Sequence, residues 1–194
     1  MFLKHAVPLL LLTLLSLPAK AATLAGVNLP EQETLAGHTL KLNGIAVRQA
    51  TFLHIPVYVA GLYLEAPAKN EYLVLGTPEP KELVMVFRHD APASKLVDAW
   101  REAFKENCGP AALCDRQEAQ FSRFASSLKD MRSGEWAKLR IFNDRLEVLY
   151  TNRTVTIAGG QFANTVLATF IGKAGDQDVK RALLKARPLV GLRG

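Results

Sequence analysis

The sequence predicts an α+β fold, with helices packed on one side of a largely antiparallel sheet. Three observations predict it. Segments rich in Leu, Ile, Val and Tyr occupy much of positions 39–89, and the apolar period then lengthens to three or four residues as far as Met131. Three more strand-like segments lie between Trp136 and Ala158, and helical spacing closes the chain.

The chain opens Met-Phe-Leu-Lys-His, runs through apolar residues from Ala6 to Leu12, and continues with Leu14, Leu15 and Leu17. A short cationic start, an apolar core below the ~20 residues of a bilayer span, and Ala19-Lys20-Ala21 as a cleavage site describe a signal peptide. The mature chain is expected to begin at Ala22 and to work in the periplasm or outside the cell; a retained membrane anchor is the alternative. No Cys lies near the site to carry a lipid, and no later segment is apolar for long enough to be a membrane helix.

Removing 21 residues from 194 leaves 173, which fits a single domain over 22–194 with a substantial core. Losing Lys4 and Lys20 lowers the net charge from +6 to +4. The remaining cations are interleaved with Asp and Glu, and no basic run carries interleaved aromatics, so nucleic acid is not an expected partner. Cys108 and Cys114 are the only cysteines. Export to an oxidising compartment makes a disulfide between them the default expectation, with a redox-active pair as the alternative, although the spacing is not C-x-x-C.

Thr39 to Val47 and Thr51 to Glu65 read as two strands or a bent pair, broken by Gly44 and the Arg48-Gln49 step, and Lys81 to His89 reads as another strand. Pro67, Gly76, Pro78 and Pro80 mark a loop between them. From Pro92 to Cys108 the residues Leu96, Val97, Trp100, Ala103 and Phe104 form one face of an amphipathic helix, which Gly109-Pro110 ends. Asp115 and Glu118 resemble a capping box, opening a second helix whose face is Phe121, Phe124, Ala125, Leu128 and Met131.

Trp136 to Phe142, Arg145 to Thr151 and Thr154 to Ala158 follow as strands, with short turns at Asn143-Asp144 and Asn152-Arg153 predicting a meander. Gly160 to Ile171 is apolar at helical spacing, and a last helix begins near Asp176 and stops before Pro188.

Short catalytic signatures are missing. His38, His54 and His89 are far apart in sequence, with no His-x-x-x-His, and there is no Gly-x-Ser-x-Gly or phosphate-binding glycine loop, so neither a metal nor a cofactor is expected.

One long segment carries more information. Leu42-Asn43-Gly44-Ile45-Ala46-Val47-Arg48, followed by Val57 through Glu65, resembles the chalcone isomerase family, in particular its bacterial chalcone isomerase-like branch. Glu106-Asn107-Cys108 is similar to the end of that family's first long helix. Ile171-Gly172, Lys180-Arg181 and Arg187-Pro188 are similar to its C-terminal helix pair. The resemblance implies an open-faced sandwich, with a ligand cleft between the sheet and the helices on one side of it. It also implies one of two activities: closure of a chalcone by addition of a phenolate to an enone, or non-catalytic fatty-acid binding.

Carried over by position, the resemblance puts the family's charge-stabilising Arg at Arg48 and its helix Asn at Asn107. Trp100, Ala103 and Tyr58 stand where the isomerases have Tyr, Lys and Thr. Donors aimed at a developing oxyanion are worth roughly 3 to 4 kcal/mol each, so these replacements argue against chalcone closure. Trp100, Ala103 and Asn107 share a helix face at i, i+3 and i+7, which would turn them toward the cleft. The alternatives are that Asn107 caps its helix, that Trp100 is core, and that Arg48 is an exposed cation tied to a nearby acid. The expected ligand residues are therefore Arg48, Tyr58, Trp100, Ala103 and Asn107, and the expected ligand is a fatty acid or similar apolar carboxylate. A rival reading is an isomerase or intramolecular lyase acting on another enone through Arg48 and Tyr58. A partner-binding structural domain is the third.

Overall fold

Alternating branched and aromatic residues build an antiparallel sheet whose strands lie side by side in chain order. The computed structural model describes residues 21–50, 55–173 and 176–186. The first 20 residues of the expected signal peptide, His54, and the Arg187-Pro188 step lie outside the described residues.

The elements are β1 (Ala21–Leu24), β2 (Val27–Pro30), β3 (Gln32–Leu35), β4 (His38–Ala50), β5 (Ile55–Leu64), α1 (Glu71–Gly76), β6 (Lys81–Phe87), α2 (Ala93–Asn107), α3 (Ala111–Ser127), β7 (Trp136–Ile141), β8 (Arg145–Tyr150), β9 (Arg153–Ala158), α4 (Gly160–Ile171) and α5 (Gln177–Leu183). Strands β3 to β9 form the seven-stranded sheet, and β1 and β2 form a separate hairpin. The helices α2 and α3 are an insertion between β6 and β7, which still pair directly. The α+β architecture and the helical insertion agree with the sequence.

Two cores flank the sheet. On one face Ala60, Leu62, Leu83, Met85, Leu139 and Val148 meet the helices, where Phe104, Phe121, Phe124 and Phe162 interlock. On the other, Val59, Tyr63 and Val84 pack with Ala22, Val27 and Leu29 of the hairpin. The second layer was not legible as strands. Its four-residue strands turn on Ala25-Gly26, and β3 turns into β4 on Ala36-Gly37, each pair with positive φ. These are hairpin turns made with Ala in place of the usual Asn or Asp. Ala22, the expected first mature residue, is buried in β1 opposite Leu29.

Other expectations are corrected. The loop between β5 and β6 contains α1, capped by the Asn70 side chain on the Tyr72 amide. Asp115 and Glu118 are not a capping box, because α3 already starts at Ala111, behind Pro110. Gly109, at φ 99°, reverses the chain and lets Pro110 open the helix with its preset φ. Glu118 instead takes a bidentate ion pair from Arg101 of α2, 2.7 Å to each oxygen. Met131 lies beyond the end of α3, buried in a bridge to Ala91. The Arg48-Gln49 step lies within β4, opposite an extra residue, Val57, of β5, and does not separate two strands. Cys108 and Cys114 are bonded to each other across the junction of α2 and α3.

An irregularity in β4 decides which way its end faces. Leu42 pairs with Tyr63, but the next pair is Gly44 with Leu62, so Asn43 is an extra residue. Before it, Leu40 and Leu42 face the hairpin core; after it, Ala46 faces the helices. Arg48, two residues on, shares the helix-side face. Asn43 is 1% exposed and fully bonded, its Nδ2 donating to Ala68 O and Leu183 O and its Oδ1 accepting from Ala68 N. Gly44 has no room for a Cβ, which would overlap the carbonyl oxygens of Ala182 and Leu183. The bulge thus both turns Arg48 and seats α5.

Candidate functional site

Arg48 and Tyr58 are cross-strand partners on β4 and β5, so their side chains stand next to each other on the helix-side face. Above them α2 contributes Trp100 and Ala103, α4 contributes Thr169 and Phe170, and the start of α5 contributes Asp176 and Val179. These residues line an open cleft of about 610 Å³, with Glu102, Lys105 and Glu106 of α2 also on its wall.

The charged end is built around Asp176. Its Oδ1 accepts from the amides of Asp178 and Val179, at 2.9 and 3.3 Å, and so caps α5. Its Oδ2 accepts from Arg48 Nη1 at 2.8 Å, and the same Nη1 donates to Gln49 O at 2.9 Å. Among the described residues, Nε and Nη2 of Arg48 make no hydrogen bond, although the guanidinium has donors on all three nitrogens. The Arg48 side chain is 45% exposed.

The apolar end is aromatic. Phe170 is the pivot, meeting Trp100 edge-on at 5.1 Å and Tyr58 at 6.4 Å. Trp100 also packs edge-on against Phe124 at 4.8 Å, which joins the cleft wall to the interior cluster. Burial pushes the Tyr58 phenol up to about 12; the nearby Arg48 opposes this and Asp176 adds to it. The phenol is therefore a protonated hydrogen-bond donor near neutrality, not a base.

An unfolded Tyr58 would ionise near 10 and the folded one near 12, so its contribution to stability is complete below pH 10 and lost as pH rises toward 12. Ultraviolet titration of the wild type minus the Tyr58→Phe variant should show one phenolate forming near pH 12. A transition near 10 would mean that the phenol is hydrated.

Four of the five expected ligand residues, Arg48, Tyr58, Trp100 and Ala103, thus meet in one cleft. Asn107 does not line it, despite its place on the same helix. Its Nδ2 donates to Ala103 O at 2.8 Å and its Oδ1 accepts from Lys173 N at 3.0 Å. A Cβ on Gly172 would overlap that oxygen. Asn107 clasps the end of α2 to the link between α4 and α5, because α4 ends there within touching distance. Phe170 and Asp176 are the residues that sequence reasoning missed. The first was hidden in an apolar helical run and the second in a helix-start signal. His38 Nδ1 lies 3.1 Å from Glu65 and His89 Nδ1 lies 2.8 Å from Pro56 O, both exposed. Among the described residues no three His, Cys, Asp or Glu side chains converge as a metal site.

The family described as chalcone isomerase-like matches the chain over residues 21–185. The chain belongs to that family. No curated protein matches the sequence. Among solved structures, this chalcone isomerase-like chain is similar to a fatty-acid-binding protein of Arabidopsis thaliana. The two share 14% identity at a TM-score of 0.64, over 85% of this chain and 96% of that one, a likeness of fold. In this chalcone isomerase-like fold, Trp100 and Ala103 present an indole and a methyl group to the cleft.

Proposed function

We propose that this protein is an exported single-domain binder of a fatty acid or similar apolar carboxylate, held with its oxygen head at Arg48 and Tyr58 and its chain along Trp100 and Phe170. The observation that carries the reading is the pairing, in one cleft, of Arg48 donors that no described residue takes up and a protonated Tyr58 with an aromatic wall. The volume suits a small ligand, since such sites commonly hold about 300 to 1,000 Å³. The similar Arabidopsis protein, a fatty-acid-binding protein by description, supports the same reading. Indole and methyl groups in place of polar ones favour binding over enone chemistry. The Cys108–Cys114 bond is consistent with export to the periplasm or beyond, where disulfides persist.

A charge-assisted hydrogen bond from Arg48 contributes about 1.5 to 3 kcal/mol. Each buried methylene adds roughly 0.8 kcal/mol, against association costs of at least about 4 kcal/mol. The head therefore orients the ligand and the chain supplies most of the affinity. Calorimetry of long-chain fatty acids with the mature protein should show binding that weakens by about 1.5 to 3 kcal/mol in Arg48→Ala. An Arg48→Ala variant that binds as well as the wild type would remove Arg48 from the head-group site, and a wild type that binds no fatty acid would sink the reading.

A further inference from the structure

Arg48 has an internal carboxylate partner, and this bears on what the cleft selects. Asp176 Oδ2 sits 2.8 Å from Nη1, the position that one oxygen of a ligand carboxylate would take in a two-pronged grip. The remaining donors, Nε and Nη2, make no bond to a described residue and are left for an acceptor, but the cation that carries them is already paired with a carboxylate. The charged residues on the cleft wall are Arg48 and Lys105 against Glu102, Glu106 and Asp176, so the wall presents donors without a positive surplus. Tyr58, protonated, adds a neutral donor. Such a site gains little from a negative charge on the ligand and pays no penalty for its absence.

We infer that Asp176 is the specificity-determining residue of the head-group site: by pairing with Arg48 it opens the cleft to neutral carbonyl ligands, such as fatty esters or aldehydes, on nearly equal terms with free carboxylates. The inference rests on the proposed binding of apolar ligands at Arg48 and Tyr58. Asp176 is also the cap of α5, and Asn or Ser at the same position would keep that role while removing the charge.

The test compares dodecanoate with methyl dodecanoate, by competition against a fluorescent lipid probe at neutral pH and fixed ionic strength. Wild type, Asp176→Asn, Asp176→Ser and Arg48→Ala are measured side by side, with melting curves to confirm folding. The wild type should bind acid and ester within about threefold of each other. Asp176→Asn should bind the acid about tenfold more tightly and leave the ester little changed, and Asp176→Ser should do the same. Arg48→Ala should weaken both. An acid-to-ester ratio that stays the same in both Asp176 variants, while Arg48→Ala still loses the acid, would overturn the role of Asp176 and leave the binding reading standing. Failure of the wild type and all variants to bind either ligand would overturn both.

Discussion

Replacing Gly44 with alanine should detach α5 from the sheet. The added methyl would meet the backbone of Ala182 and Leu183, 2.6 Å from the Leu183 carbonyl carbon, and backbone cannot rotate away as a side-chain tip can. Overpacking of this kind costs about 1 to 3 kcal/mol. Here it also pulls Leu183 O from buried Asn43, whose lost bond adds about 1 kcal/mol or more. A domain of this size should melt roughly 5 to 10 °C lower. Amide exchange should accelerate through Gln177–Leu183 while Lys81–Phe87 and Trp136–Ile141 stay protected. Because Asp176 travels with α5, the Arg48 pair should be lost too, and the variant should bind dodecanoate poorly through disorder of the cleft wall. An α5 as protected as in the wild type would show that the bulge can widen.

The second large effect is expected from Phe124→Ala. Phe124 is fully buried and touches Trp100, Phe121 and Phe162, so it joins the wall of the cleft to the aromatic interior. Emptying its volume should cost about 3 to 5 kcal/mol and lower the melting temperature by about 10 °C or more. The hole would open directly behind the indole. In a Trp136→Phe background, where Trp100 is the sole tryptophan, its emission should shift to longer wavelength as the ring loses one of its two edge-on partners. Phe124→Leu should recover most of the stability. A melting point within a few degrees of the wild type would show that the cluster closes over the loss.

Much of the fold was legible because its signals are periodic. Strands β7 and β8 alternate half-buried and buried residues along their whole length, and α2 and α4 carry apolar stripes. What escaped was short or conditional. Four-residue strands with Ala-Gly turns give no pattern long enough to count, and a six-residue helix between prolines looks like loop. The start of α3 depended on the left-handed turn at Gly109, which made a plausible Asp115 cap irrelevant.

The site divides in the same way. Resemblance led to Arg48, Tyr58, Trp100 and Ala103 as a set, but the direction of Arg48 depends on one extra residue, Asn43, and period-two reasoning cannot detect an insertion in its own count. Asn107 shows the converse. Helical spacing put it on a face with Trp100 and Ala103, which line the cleft, yet the arrival of Gly172 and Lys173 took its amide away from that cleft. Asp176 was visible as a helix start, while its second oxygen answers to a residue 128 positions away, which no local signal encodes.

That separation has a bearing on the order of assembly. Each strand of the large sheet pairs with its neighbours in the chain, by short connections except where α2 and α3 intervene between β6 and β7, so the sheet can grow largely from local pairings. The cleft cannot. It closes only when Asp176 reaches Arg48 and Leu183 reaches Asn43 across 140 residues, contacts that join the first third of the chain to its last helix. A chain emerging from its N-terminus would therefore carry a formed sheet before it carried the cleft, whose charged corner is complete only once the chain extends through Leu183.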